Sequence, residues 1–299
     1  MPQPALTQTE LQQVAAAIGE EFLARVQPPG HSGKREGLNI PELVCPGCVQ
    51  RCPQTCAKKT QAIVEAGADR VSASEKLTRI RPEIAALIDH TILRPDATRD
   101  DVLKVCREAL RYGFASVCVN PYWVPLVAGQ LAGSQVRVCT VVGFQLGASS
   151  TEVKVKEAES AIRAGAREID MVINIGALRS GDYDSVKLDI QSVVQASHAA
   201  GALVKVILET AYLTGTQKAV ACVLAKLAKA DFVKTSTGFG PSGASTEDVA
   251  LMRHVVGPEM GVKAAGGIRT LDDLRRLAAA GANRIGASAS VRIIESAAA

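Results

Sequence analysis

Aromatic residues are scarce in this sequence: five Phe, four Tyr and one Trp make up 3% of 299 residues. Because 47% of the chain is nevertheless hydrophobic, its core must be built from Val, Ile, Leu and Ala, the composition of buried parallel strands covered by helices, which points to an α/β fold. Charge of one sign is also lacking. The formal net charge is +4, and the basic residues are spread among acidic ones instead of forming runs that neutralise a phosphate backbone, so no nucleic-acid partner is expected. No apolar stretch reaches bilayer length, and the opening MPQPALTQTE has neither the basic region nor the apolar core of a secretion signal. A cytosolic chain with no membrane partner is expected. His90, His198 and His254 have no second ligand at metal spacing and are expected to be hydrogen-bonded structural residues. Cys106, Cys118, Cys139 and Cys222 lie singly in apolar segments, as small buried thiols do in a reducing compartment.

What is present falls into three regions. Residues 1–27 read as an amphipathic helix: Thr7 and Glu10 form a capping box, Leu11, Val14, Ile18, Phe22 and Val26 recur at helical spacing, and Pro28-Pro29-Gly30 ends the run. A lone helix of this length is marginal in water, so its apolar stripe must dock on the rest of the chain, on a copy of itself in a homodimer, or on another protein. Residues 28–57 hold a linker rich in Pro, Gly and charge, then CPGCVQRCPQTC, which places Cys45, Cys48, Cys52 and Cys56 within one short run. The spacing C-x₂-C-x₃-C-x₃-C suits Zn or an Fe–S cluster, although it matches neither the ferredoxin pattern nor two separated zinc knuckles; reversible disulfides and an idle remnant are the alternatives.

Residues 58–299 alternate strand and helix. The β-rich runs ALIDH, ASVCV, VRVCTVVG, EIDMVIN, LVKVILE, DFVKTS, GVKAAGG and NRIGAS are separated by helical patterns such as TRDDVLKVCREAL, KVKEAESAIRAGA and LDDLRRLAAAGA. Eight repeats predict a (β/α)₈ TIM barrel carrying an N-terminal helical and Cys-rich extension; an open doubly wound sheet is the structural alternative. In such a barrel, catalytic groups sit where strands end. Reading each run to its end gives Asp89, Asn120, Asp170, Asn174, Lys205, Glu209, Lys234, Lys263 and Ser288. A purely structural reading must pair each buried lysine with an acid. Three converging lysines strain that reading, since a lysine beside another cation has a lowered pKa and a populated neutral amine, the nucleophile of Schiff-base chemistry. Gly238, Gly240 and Gly243 spell G-x-G-x-x-G, but Glu259 precedes the next strand instead of ending it, and Lys-Thr-Ser-Thr does not belong before a dinucleotide loop.

Four segments, VKTSTGFG at 233–240, VKAAGGIRT at 262–270, IDHTILRPDAT at 88–98 and EIDMVINIGAL at 168–178, together resemble the deoxyribose-phosphate aldolase family, in order and over the whole barrel. The resemblance implies reversible cleavage of 2-deoxy-D-ribose 5-phosphate to D-glyceraldehyde 3-phosphate and acetaldehyde, with no cofactor for catalysis. It makes Lys234 the Schiff-base amine, Lys263 the group that depresses its pKa and joins Asp170 in proton relay, and Asp89 and Lys205 members of the surrounding network. Gly238, Gly266, Gly267, Gly286 and Ser288 form the expected phosphate corner, where backbone N–H groups approach the anion. The family often has lysine after TSTG; this chain has Phe239, which leaves backbone amides, Ser288 and Arg269 to carry more of the phosphate. The first helix with its linker resembles, in pattern and not in residues, the encapsulation peptides of bacterial microcompartment enzymes, implying a shell-protein partner. The rival readings are a class I aldolase acting on another sugar phosphate, and a non-catalytic sugar-phosphate or shell-binding protein.

Overall fold

The computed structural model describes residues 82–297. The first helix, the linker with Cys45, Cys48, Cys52 and Cys56, and the first part of the region assigned to the barrel lie outside the described residues. A single turn, α1 (Pro82–Ala85), leads into eight strands: β1 (Ile88–Ile92), β2 (Ser116–Val119), β3 (Arg137–Val142), β4 (Glu168–Val172), β5 (Leu203–Ile207), β6 (Phe232–Lys234), β7 (Gly261–Ala265) and β8 (Arg284–Ala287). All neighbours are parallel, and β8 pairs with β1 to close the barrel. All eight β-rich runs are strands, and closure excludes the open sheet.

Helices occupy every crossover: α2 (Arg99–Tyr112), α3 (Val124–Gln130), α4 (Thr151–Arg163), α5 (Ile175–Arg179) with α6 (Tyr183–His198), α7 (Gly215–Leu227), α8 (Thr246–Val256) and α9 (Leu271–Ala279), with α10 (Ser290–Ser296) after β8. Their starts follow from local chemistry. Thr98 with Asp101, Thr214 with Gln217 and Thr270 with Asp273 each form a capping box, satisfying N–H groups that the first turn leaves without partners. Gly113 ends α2 in the left-handed conformation at φ 71°. Among the described residues no helix is long and apolar enough to cross a membrane.

The strand alternation divides the core in two. Val117, Val138, Ile169, Met171, Val204, Val206, Val233, Val262 and Ile285 point outward and join the helices in one large apolar cluster. The alternate positions point inward, and there the small apolar cluster of Leu93, Cys118, Cys139 and Val141 shares the interior with the buried charges Asp89, Glu168, Asp170, Lys205, Lys263 and Arg284. The barrel lumen is therefore an ionic layer, with the lysines and carboxylates converging there as the sequence predicts.

One further buried charge braces the outside of the barrel. Lys154 of α4 has no exposed surface; its Nζ donates to the Val172 carbonyl at 3.0 Å and to Asp189 Oδ2 of α6 at 2.5 Å, while Thr151 Oγ1 donates to Asp189 Oδ1 at 3.1 Å. Replacing Lys154 by Met strands the Asp189 carboxylate in the core, a loss worth about 3–5 kcal/mol. Urea unfolding should register that loss for Lys154→Met, and Lys154→Met with Asp189→Leu should recover much of it.

Candidate active site

Strand register decides which side chains meet. Lys234 pairs with Lys263 across β6 and β7, and Asp170 with Lys205 across β4 and β5. Of these residues only Lys234 ends its strand. Asp89, Asp170, Lys205 and Lys263 lie within theirs, one layer below the mouth, so the expectation that all would be strand-terminal is corrected: inward alternation, not position at the strand end, brings them together. The structure unites all five predicted catalytic residues. Lys234 and Lys263 each donate to Asp170 Oδ2 at 2.7 Å. Lys205 donates to Asp170 Oδ1 at 3.0 Å, and Lys263 also lies 2.5 Å from Asp89 Oδ2.

The expected electrostatics are altered by this sharing. Lys234 and Lys263 do not confront each other bare; a carboxylate oxygen stands between them. For Lys263, burial disfavours the ammonium, but Asp170 and Asp89 outweigh burial and hold its pKa above the ordinary lysine value. Lys205 is raised in the same way by Asp170, Cys139, Glu168 and Asp89 against burial. Burial opposes ionisation of Asp170 as well, yet Lys205, Lys234 and Lys263 hold it well below the usual carboxylate range. Asp89 is lowered against burial by Arg284, Lys263 and Lys205. Asp170 and Asp89 thus favour the ammonium of Lys263, and Lys263 in turn favours the ionised form of Asp170.

Two ionic partners escaped the reading of strand ends. Glu168 accepts from Arg284 Nη1 at 3.0 Å and lies 2.5 Å from Lys205 Nζ; Arg284 Nη1 also donates to Asp89 Oδ1 at 2.7 Å. Both start their strands, at the opposite end from the one searched. The available signal was alternation: Glu168 precedes Asp170 by two residues and must share its face, and Arg284 likewise precedes Gly286. Cys118 and Cys139 are buried as expected, but inside the lumen, where Cys139 Sγ donates to Asp170 Oδ1 at 3.2 Å. Two trios, Cys118–Cys139–Asp170 and Asp89–Cys139–Glu168, bring their ligand atoms within 4.8 Å. Lysine and arginine already occupy these carboxylates, so a metal ion would have to displace them.

Above this layer opens a cleft of about 540 Å³ into which Lys234, but neither Lys205 nor Lys263, projects. Gly238, Gly266, Gly267, Gly286 and Ser288 line it together with Arg269, so the whole predicted phosphate corner faces the predicted nucleophile. Close packing requires two of these glycines. A Cβ on Gly286 would lie 3.1 Å from Lys263 Cε, and Gly266 has φ +90° with the Gly243 Cα only 2.9 Å from any Cβ placed there. Gly243 thus packs the β6 loop against the β7 loop instead of serving a dinucleotide motif, and Ala244 N–H donates to the Gly266 carbonyl at 3.1 Å. Arg94, also on the cleft, is drawn aside by Asp96 and Asp101.

Other singled-out residues are structural. Asn120 Nδ2 donates to the Leu93 carbonyl and Asn174 caps α5; Tyr122 and Trp123 do not line the cleft. His90 and His198 pair with Glu108 and Asp231, each at 2.8 Å. Glu209, in the left-handed region at φ 54°, accepts from Thr237 N–H at 3.0 Å and from the Thr237 hydroxyl, fixing the loop that follows Lys234. Phe239 lies on this loop between the main cleft and a smaller one of about 280 Å³, its ring edge-on to Phe144 with centroids 5.6 Å apart.

Comparison with known proteins places this geometry. The DeoC/LacD family aldolase profile matches residues 84–292. A deoxyribose-phosphate aldolase of Thermococcus gammatolerans is 61% identical over 217 residues, 72% of this chain and 96% of that protein; one of Bacillus mycoides is 59% identical, covering 71% and 94%. The tetrameric deoxyribose phosphate aldolase of Aeropyrum pernix, a solved structure, superposes with a TM-score of 0.68 at 34% identity, covering 79% of this chain and 97% of that one. Matched across nearly all of its barrel, the chain belongs to the DeoC/LacD family of aldolases.

Proposed function

We propose that the barrel is a metal-independent class I lyase that reversibly cleaves 2-deoxy-D-ribose 5-phosphate to D-glyceraldehyde 3-phosphate and acetaldehyde through a Schiff base on Lys234. The observation that carries this reading is that one member of the ionic layer borders the cleft: Lys234 keeps 2% of its surface there, while Lys205 and Lys263 have none, and Lys104, the other lysine on the cleft, is a solvent-exposed residue of α2 outside the layer. The names of the relatives point to the same substrate.

Charge balance supports the assignment. The buried Lys205, Lys234, Lys263 and Arg284 face the three carboxylates Asp89, Glu168 and Asp170, and the half-buried Arg137 lies 3.6 Å from Glu168. Cations outnumber carboxylates, so the layer can spare one proton, and only at Lys234 would it leave beside the cleft. The free amine adds to the C1 aldehyde, and the carbinolamine loses water to give an iminium. The iminium accepts the electron pair of the C2–C3 bond as the C3 hydroxyl gives up its proton, releasing glyceraldehyde 3-phosphate. The enamine then takes a proton at C2, and hydrolysis frees acetaldehyde and Lys234. Asp170, in reach of Lys234, handles these protons with water at the cleft edge, while the buried Lys263 holds the carboxylate in place. The glycine loops and Ser288 take the phosphate through backbone amides and a hydroxyl.

Borohydride reduction in the presence of acetaldehyde should fix the adduct on Lys234 alone, as peptide mass mapping will show, and Lys234→Ala should lose both adduct and cleavage. An adduct elsewhere, or none, ends the mechanism. Product analysis with acetaldehyde as donor distinguishes an aldolase for another sugar phosphate.

The extension carries separate proposals that rest on sequence pattern. Residues 1–27 act as a tag for a microcompartment shell protein, the barrel works as a homodimer, and Cys45, Cys48, Cys52 and Cys56 bind Zn or an Fe–S cluster outside the catalytic cycle. The relative from Aeropyrum pernix is described as tetrameric, so copy number is a point of distinction. Deleting residues 1–30 should leave soluble activity and assembly mass unchanged; loss of either means that the helix serves the barrel instead. Elemental analysis of the full chain should find metal that is absent after Cys45→Ser and Cys48→Ser, with turnover unaffected.

A further inference from the structure

Cys139 occupies the middle of β3, fully buried inside the barrel. Its Sγ lies 3.2 Å from Asp170 Oδ1 as donor and 3.5 Å from Lys205 Nζ as acceptor. Cys118 is its register partner on β2, and the two sulfurs lie within 4.8 Å of each other and of an Asp170 oxygen. An ionised carboxylate offers about four lone-pair positions. On Asp170, Lys205 and Cys139 take those of Oδ1, while Lys234 and Lys263 take those of Oδ2. Among these four donors only Lys234 changes during turnover: its nitrogen bonds to carbon and gives up hydrogens. The vacancy this creates falls on Oδ2.

We propose that Cys139 is a positioning residue for catalysis: with Lys205 it closes Oδ1 of Asp170, so that protons enter and leave the carboxylate only at Oδ2, the edge facing Lys234. This rests on the reading of Asp170 as the proton-handling group. A thiol suits the task for two reasons. It is a neutral donor, so it fills a lone pair without adding a further cation to a layer in which cations already outnumber carboxylates. It is also inert as an acid, because burial, followed by the neighbouring Cys118 and the Asp170 charge, pushes its pKa well above the ordinary thiol value. The titratable groups around Asp170 come from every other strand: Asp89 of β1, Cys118 of β2, Cys139 of β3, Lys205 of β5, Lys234 of β6, Lys263 of β7 and Arg284 of β8, with Glu168 beside it on β4. Cys139 is the neutral donor among the partners of Asp170, so replacing it tests donation without changing the charge count.

Removing the donor leaves Oδ1 open, so the loss falls on proton transfer and not on substrate binding. Cleavage of 2-deoxyribose 5-phosphate by the full chain at neutral pH should show kcat for Cys139→Ala reduced about ten-fold, the scale of one hydrogen bond to a charged group, with KM near the wild-type value. Cys139→Ser keeps a donor and should restore most of kcat. Cys139→Val fills the volume without donating and should behave as Ala, which separates lost donation from a cavity or a folding defect. Should the Ala or Val protein, once folded, keep the wild-type kcat, should its loss lie in KM, or should Ser be impaired as much as Ala, the positioning role is wrong. These outcomes are independent of borohydride trapping on Lys234, which tests the Schiff base itself.

Discussion

The lumen depends on one carboxylate shared by three lysines. Asp170 receives Lys205 on one oxygen and both Lys234 and Lys263 on the other, and without it three ammonium groups would face a dry interior with only Asp89 and Glu168 to balance them. An isolated buried charge costs far more than a folded domain has to spare, which is why each one here is held by at least one opposite charge. Such networks seldom add net stability, because apolar side chains of equal volume avoid desolvation altogether. An ionic lumen in a barrel whose outer face is packed with Val and Ile is therefore best understood through what it does to Lys234. It confines charge to a layer, and it leaves a single ammonium at the upper boundary of that layer where the cleft begins.

Strand and helix placement were legible because they depend on short-range chemistry. Each β-rich run reads directly in its β-branched residues, and caps such as Thr98 with Asp101 mark where a helix must start. Fold class followed from counting eight alternations. The composition of the lumen was less legible, because register is a long-range property: nothing local states that Lys234 lies opposite Lys263, or that Cys139 lies opposite Glu168. Searching strand ends found Lys234 by correct logic and found Asp170 and Lys263 as neighbours of the true position. It passed over Glu168 and Arg284, which sit at strand starts and enter the network only because long side chains reach across the barrel. The period-two rule would have placed Glu168 on the face of Asp170 without any structure.

The glycine motifs show a second limit of reading by pattern. Gly238, Gly266, Gly267 and Gly286 were singled out because an anion needs exposed backbone N–H groups, and all four do border the cleft. At least two have a packing reason as well: Gly286 makes room for the Lys263 stem and Gly266 for the loop carrying Gly243. The phosphate corner and the ionic layer are thus mechanically joined. A Cβ at Gly286 would crowd the Lys263 stem and Ala265, each at 3.1 Å, so a substitution there bears on the ionic layer as well as on the phosphate corner.

The ion pair at the cleft edge bears on the intermediate of the proposed mechanism. There the iminium is a cation on the Lys234 nitrogen, facing Asp170 Oδ2, the oxygen that lies 2.7 Å from that nitrogen in the resting site. Lys263 shares the same oxygen, and Arg284 holds Asp89 and Glu168, so the rest of the layer is fixed as charge comes and goes. Fixed charges that need not move when the reaction creates a cation are what make such a site effective. On this view the carboxylate that anchors the free Lys234 side chain is also the one that faces its iminium, so a substitution at Asp170 acts on both.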